Sequence, residues 1–376
     1  MNLPIEGESP RGDQASDQNR DPRRVADLQK TITMAQIAKA AGVSQGAISS
    51  LLNDRDYGIR VSEKTRDKVF KVCREMGYIP NDLRAVVRMY PELGDYCLLL
   101  SNEFTAGLRD PRVSRIAGAA LEATRALSHS LTIACYNPTA DYSGDLEPLP
   151  NPVRAGVASK YLVLGTPNLS LLQLLSKRGC PVVCLESEVR MLNVLSLLPD
   201  YHMAAKLAIE HLYALGHRHV GIVSGPFGAS EPHIIDLNHG VRLGCDQVGI
   251  SIDAQNIIYG DLSFDAGIHA FEALMERAHP PSAIFCMSDT VAAGVIAAAQ
   301  SRSRKVPEDI SVIGCGGDEA AHLTWPSLTT VKIPVEEMTA RGVHAMDQLL
   351  NKVSAPEPKT ERFGVELIER KSCAPR

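Results

Sequence analysis

The sequence predicts a small N-terminal all-α helix-turn-helix domain followed by a two-lobed α/β body, and three observations carry that expectation. Two short helical patterns flank the turn AGVS at residues 41–44. The same region is basic within an acidic chain. From Lys30 to Arg88 there are eleven Lys or Arg against six Asp or Glu, a balance of +5 that leaves −10 for the remainder. From Asp95 onward, apolar strand-like runs alternate with longer helical stretches, the rhythm of parallel sheets covered by helices. At 376 residues the chain exceeds one ordinary core, so two or three folding units are expected.

Thr33, with Gln36 three positions on, forms the pattern of a capping box that satisfies helix-terminal N–H groups. Ile37 and Ala41 share one face, and small Ala38 admits a second helix. Gly42 ends the first helix and Val43 packs inward. Ser44 caps a second helix over about residues 45–52, with Ile48, Leu51 and Leu52 available to the core. Gln45, Gly46, Ser49 and Ser50 then lie on or near the outer side. A third helix starts after Ser62; Val69, Cys73 and Met76 follow its inward spacing and Gly77 terminates it. A basic module on an acidic body suits a phosphate backbone. The alternative is a small helical domain for protein contacts.

The nine cysteines (Cys73, Cys97, Cys135, Cys180, Cys184, Cys245, Cys286, Cys315 and Cys373) are scattered and lack paired zinc spacing. Reduced core residues of a cytosolic protein are expected. His217 and His219 suit a helix end and turn better than a metal. No cofactor and no enzyme activity are expected. GCGGD at 314–318 lacks the dinucleotide pattern, no Walker sequence occurs, and no Ser/His/Asp order stands out. Asp289, between a strand and a helix, suits a helix N-terminal contact. Residues 1–30 read as a disordered extension without a secretion signal. No run reaches the roughly 18 apolar residues of a membrane helix, so no membrane partner is expected.

AQIAKAAGVSQGAISSLLN, followed by VSEKTRDKV and GYIPN, resembles the DNA-binding segment of the lactose-repressor/galactose-repressor family of bacterial transcriptional regulators. The resemblance implies a domain over 31–80 whose second helix enters the major groove, with dimeric partners reading a roughly two-fold operator. It places Gln45, Gly46 and Ser50 at base-facing positions. Gln45 can present an amide edge to adenine, Gly46 has no side chain to offer, and Ser50 is short. Ser44, Ser49, Asn53, Thr65, Tyr78 and Asn81 match phosphate-anchoring positions, with Thr33 and Arg60 close by. Residues 81–92 match a hinge helix and linker that enters the minor groove beside its dimer mate. Asn81 is its N-cap, Arg84 and Arg88 approach phosphate, and Val87 stands where relatives carry a leucine wedge. The alternative is a plain linker ending at Pro91.

The resemblance continues through DYHMAAKLAIEHLYALGHRHVGIVSGP, PSAIFCMSDTVAAGVIAAAQ, VPEDISVIG and PSLTTVKIPVEEM, covering about residues 33–373. It implies a periplasmic-binding-protein-like body over 95–376 for effector binding and dimerisation. Lobe one is expected over about 95–198 and 329–356, lobe two over about 199–328 and 357–376, with three crossings. Sugar-responsive relatives set an arginine, an acidic residue, an asparagine and a stacking aromatic around the interlobe cleft. The matching positions here are Leu237, Gly316, Ser288 and Leu262. Bidentate donors, an acceptor and a ring face are lost together. An ordinary free sugar is therefore not the expected effector. The remaining readings are another small metabolite, a bound protein or peptide, or a cleft that no longer switches. His233, Asp236, Asn238 and Asp289 are candidates for a polar cleft or, equally, helix-terminal and loop residues.

The expected protein is a sequence-specific DNA-binding transcriptional regulator: a cytoplasmic, nucleoid-associated homodimeric repressor on a near-palindromic double-stranded operator, modulated through its body. A ligand-independent or protein-responsive regulator is the alternative; outside regulation it is a solute-binding protein. No heptad-bearing tail follows Cys373, which favours a dimer over a tetramer. Val87→Gly is expected to weaken specific operator binding more than non-specific binding, as titrations of operator and scrambled duplexes would show. Unchanged operator affinity and DNA bending would make Val87 a linker residue.

Overall fold

A computed structural model describes residues 32–53, 61–78, 89, 94–144, 148–229, 231–350 and 359–376. The chain divides into two compact units, Met1–Ala85 and Val86–Arg376.

The first unit contains α1 (Met34–Ala41), α2 (Gln45–Asn53) and α3 (Glu63–Met76). The capping box forms: the Thr33 N–H donates to Gln36 Oε1 at 2.8 Å, and the Gln36 N–H donates to Thr33 Oγ1 at 3.3 Å. Ser44 Oγ caps α2 by accepting the Ala47 N–H at 3.1 Å. Gly42 and Gly77 end α1 and α3 in the left-handed conformation, which costs glycine little. Ile37, Ala38, Ala41, Ile48, Val69, Phe70 and Cys73 form the buried centre. Met76, expected in that core, is only half-buried. Phe70 fills the place instead, because it lies between Val69 and Cys73 on the inward face of α3 whereas Met76 sits in the last turn beside the cap.

The second unit holds two six-stranded sheets. The first part of the chain supplies β1 (Asp95–Ser101), α4 (Pro111–Ala126), β2 (Leu131–Tyr136), α5 (Asn151–Ala155), β3 (Ala158–Leu164), α6 (Leu169–Lys177), β4 (Val182–Leu185) and β5 (Val194–Pro199). Next come α7 (Tyr201–Ala214), β6 (Val220–Ser224), α8 (Pro232–Val248), β7 (Ile257–Tyr259), α9 (Phe264–Met275), β8 (Ala283–Cys286), α10 (Asp289–Ser301), β9 (Ser311–Gly316), α11 (Ala320–Leu323) and β10 (Thr329–Lys332). Then α12 (Val335–Leu350), β11 (Lys359–Phe363) and β12 (Glu366–Ile368) complete the set. The sheet orders are β11-β5-β4-β3-β1-β2 and β12-β10-β9-β8-β6-β7. All neighbours are parallel except β10 and β12. Every residue of β3 and β4 is buried, as sheets covered on both faces require.

Two crossings fall away from their expected places. Residues 329–332 stay in the second sheet, because β10 pairs with β9 from Thr329↔Ile313 to Lys332↔Gly316. The chain passes over only after Lys332, and α12 then packs on α4, β4 and β5. The return also comes late: β11 pairs with β5 in the first sheet, so the chain crosses back between Phe363 and Glu366 rather than near residue 357. Thr329, Thr330 and Val331 are buried, and the ladder with β9 supplies the partners their backbone groups need. His217 closes the end of α7 as expected, its N–H donating to the Leu212 oxygen at 3.0 Å, and its ring is a buried link. Its Nδ1 lies 2.9 Å from Ser282 Oγ and its Nε2 3.0 Å from Ser311 Oγ.

Helices α9 and α10 approach so closely that two glycines form their contact. A Cβ at Gly267 would lie 2.1 Å from the Val291 oxygen, and one at Gly294 would lie 2.0 Å from the Phe264 oxygen. Gly294→Ala must push the helices apart and is expected to destabilise the body by about 1–3 kcal/mol. Urea unfolding would measure it; an unchanged midpoint would show that the helices separate freely.

Candidate nucleic-acid interface and interlobe cavity

Gln45 and Gly46 are exposed at the start of α2, and Ser49 and Ser50 are half-buried one turn on. The Ser44 cap fixes the first turn of α2 and so the direction of Gln45. Asn53 lies in the last turn of the same helix. Thr65 sits in the first turn of α3, its N–H donating to Ser62 Oγ at 3.2 Å and its hydroxyl 2.8 Å from the same oxygen. Tyr78 follows α3, half-buried, with its N–H donating to the Cys73 oxygen at 2.9 Å. Burial, then the Cys73 thiol, pushes the Tyr78 phenol up, so it is neutral. The expected contacts Arg60, Asn81, Arg84, Val87 and Arg88 lie outside the described residues.

The second unit holds a partly open cavity of about 320 Å³ between its two sheet layers. One side is the entry to α4, with Arg112 and Arg115. The other is built from the first turns of α8, α9 and α10 and from the end of β9. Leu237, Leu262, Ser288 and Gly316, the four positions matched to sugar contacts, all line it, as does His233. Three expected polar candidates do not. Asp236 turns aside to His202, 3.5 Å away. Asn238 is spent locally, its Nδ2 donating to the Ile234 oxygen at 2.9 Å and its Oδ1 3.2 Å from Ser224 Oγ. Asp289 is wholly buried beneath the cavity. It accepts the Gly317 and Asp318 N–H groups at 2.6 and 2.9 Å and the Thr330 hydroxyl at 2.5 Å.

The charged groups that do reach the cavity were missed in the sequence. Arg112 pairs with Glu186, which also accepts the Tyr201 hydroxyl at 2.5 Å. Burial opposes the Arg112 charge, but Glu186, Tyr201 and Asp110 together more than offset it and the guanidinium is held firmly protonated. Arg115 donates to both oxygens of Glu336 at 2.6 and 2.8 Å, to the Gly316 oxygen at 2.9 Å and to the Ile333 oxygen at 3.2 Å. Asp318 faces the cavity two residues beyond side-chain-free Gly316. The signals were present: PRVSR puts two arginines three apart at a helix start, and GCGGD ends in a carboxylate.

The description of bacterial regulatory proteins of the lacI family matches residues 33–81, and that of the periplasmic binding protein-like domain matches residues 209–373. The chain is thus similar to the lacI family of bacterial regulatory proteins in its DNA-binding segment and to periplasmic binding proteins in its body. Catabolite control protein A of Priestia megaterium is 29% identical over 331 residues, 85% of this chain and 93% of that protein. The HTH-type transcriptional repressor CytR of Escherichia coli (strain K12) is 29% identical over 85% of this chain and 89% of its own length. Among solved structures, the lac repressor dimer bound to operator and the anti-inducer ONPF covers 92% of this chain and 100% of its own, with TM-score 0.62 and 23% identity. The transcriptional regulator CelR–cellobiose complex covers 91% and 99%, with TM-score 0.62 and 24% identity. These two structures share the fold. The chain is a DNA-binding transcriptional regulator, like the relatives it matches in sequence. Among the described residues no helix is long and apolar enough to cross a membrane, and no His/Cys/Asp/Glu group suits a metal ion.

In this regulator, burial and the neighbouring Asp318 carboxyl push the Asp289 carboxyl up to about 7 from an ordinary 3.8. The folded state therefore holds a proton that the unfolded chain has released between about pH 4 and 7. Stability from this group is fully present below the unfolded value and falls as pH rises through that window. Asp289→Asn is expected to flatten that slope. Asp289→Ala, which leaves two N–H groups and a hydroxyl without an acceptor, is expected to cost about 2–5 kcal/mol. Denaturant titrations of the three proteins from pH 4 to 8 would check both; parallel curves for wild type and Asp289→Asn would refute the pH assignment.

Proposed function

We propose that this regulator is a dimeric repressor whose α2 reads a near-palindromic operator and whose interlobe cavity sets operator affinity by binding a small molecule. The exposed Gln45–Gly46 edge of α2, held by the Ser44 cap, carries the DNA half of that reading. Gln45 supplies an amide edge for adenine, Gly46 lets the backbone come close, and Ser50 adds a short hydroxyl. Thr33, Ser44, Ser49, Asn53, Thr65 and Tyr78 are assigned to phosphate, with Arg60, Asn81, Arg84 and Arg88 around them and Val87 in the minor groove. The domain limits proposed are 31–80 for the reading head and 81–92 for the hinge. The dimer is supported by large apolar side chains left in solvent on the second lobe: Phe227 is 82%, Trp325 79% and Leu323 76% exposed. The cavity carries the effector half, since it lies between the layers whose relative position a bound molecule would change. Its proposed place of action is the cytoplasmic nucleoid.

Purified protein mixed with genomic fragments is expected to retain one roughly two-fold motif. Gln45→Ala should change base preference at one position of each half-site by about 1–3 kcal/mol, while Asn53→Ala and Tyr78→Phe weaken all sequences evenly. Sequencing the retained fragments reads both effects. Retention independent of sequence at moderate salt would defeat the proposal, and sedimentation showing a monomer at operator-binding concentrations would remove its dimeric part.

A further inference from the structure

Most polar groups around the interlobe cavity are already engaged by the protein itself. Arg115 commits four of its five N–H groups to Glu336, Gly316 and Ile333. The Arg112 charge is met by Glu186, and Glu186 also holds the Tyr201 hydroxyl. Asp110, Asp261 and Asp318 each accept a backbone N–H, from Arg112, Ser263 and Ala320 at 2.9, 3.0 and 2.9 Å. Ser263 and Ser288 accept the Ala266 and Thr290 N–H groups at 3.1 and 3.2 Å as helix caps. Arg109 is exposed and solvated. A polyol needs donors and acceptors around its whole ring to replace its hydration shell, and here the Arg115 donors are largely committed to the protein itself.

His233 differs from all of these. It is 8% exposed and lines the cavity, and among the described residues its imidazole makes no hydrogen bond. Its ring neighbour is Tyr201, with centroids 5.8 Å apart. Burial, then the Arg112 charge, holds the imidazole well below its ordinary value. It is therefore neutral and offers one donor and one acceptor. Leu237, Leu262, Phe264, Met287, Ile333 and Val335 give the wall a large apolar part. The volume of about 320 Å³ lies at the small end of ligand sites.

We infer that the interlobe cavity takes an uncharged, predominantly apolar ring compound, held by apolar contact and read through a hydrogen bond to the His233 imidazole. A charged molecule would meet Arg112 and Arg115 already paired with Glu186 and Glu336, and leaving one partner of such a pair alone is costly. A flat ring with one polar group breaks neither. The inference rests on the cavity being the effector site proposed above.

The test is ligand-observed NMR on the full chain with two sets of probes. Indole, benzamide, nicotinamide and 2-pyridone form one set; glucose, ribose, cellobiose and ribose 5-phosphate form the other. At least one ring probe is expected to bind at a single site with Kd of about 1 mM or tighter, as suits so small a molecule, and no sugar is expected to displace it. His233→Phe keeps a ring and removes the hydrogen bond, and should weaken that probe about tenfold. Operator binding reports whether the variant is folded. Phe264→Ala, at a ring 42% exposed, tests the apolar contact with little risk to the fold and should weaken the same probe. No ring probe bound at about 5 mM, or a Kd indifferent to both variants, overturns the inference. A sugar bound in the cavity that changes operator affinity also overturns it, while upholding the effector reading. A ring probe that depends on His233 but leaves operator affinity unchanged upholds it and overturns that reading.

Discussion

Arg115 makes its four hydrogen bonds where the chain passes from the second sheet back to the first. Its guanidinium reaches the last residue of β9, the crossing segment at Ile333, and the first turn of α12 through Glu336. A planar donor fork fixes directions as well as distances, so one side chain sets how three elements meet. The cavity wall follows from that, because Gly316, Ile333 and Val335 all belong to it. Asp289 performs the matching task one layer deeper, holding the turn after β9 against β10 and the start of α10. The two groups are satisfied differently. The arginine is matched by a carboxylate, and the aspartate by N–H and O–H donors alone.

Both sheets are parallel apart from β12, so the carboxyl ends of their strands gather along one edge and the helices that follow begin there. The opening turns of α4, α8, α9 and α10 all contribute to the cavity. Open α/β sheets place ligands at such edges for this reason. Three of these four helix starts, those of α4, α9 and α10, are capped from within, by Asp110, Ser263 and Ser288. Those dipoles are already answered, and the remaining surface is drier than the topology alone would give.

The reading head was legible in the sequence because its signals are local. A capping pair, two terminal glycines and a turn of four residues act within one or two helical turns. Phe70 was the exception, since either Phe70 or Met76 satisfies the spacing and only the packing of α1 and α2 decides between them. In the body, β1, β3 and β8 could be read as apolar runs, and the four lost sugar positions could be matched by order along the chain. The late crossings could not. Whether Thr329–Lys332 pairs with β9 or leads into the first lobe depends on partners far away in the chain. Arg112, Arg115 and Asp318 escaped for a similar reason. Each is unremarkable beside its neighbours in sequence and becomes a cavity group only when Glu186, Glu336 or the β9 turn is brought to it. Asp236, Asn238 and Asp289 failed in the other direction: each found a closer partner than the cavity.

The thiols of this protein differ greatly in reach. Burial pushes Cys97 and Cys184 up to about 12 and Cys73 and Cys245 up to about 11, and raises Cys286 and Cys315 as well. Cys180 and Cys373, only partly covered, are raised to about 11 and about 12. Cys135 alone among the nine is exposed, on β2 at the open edge of the first sheet. An alkylating dye at neutral pH would thus settle on one edge strand, since thiolate character and access govern the reaction. The fold hands the spectroscopist a single native attachment point on the first lobe, where a fluorophore could follow lobe movement without any engineered cysteine.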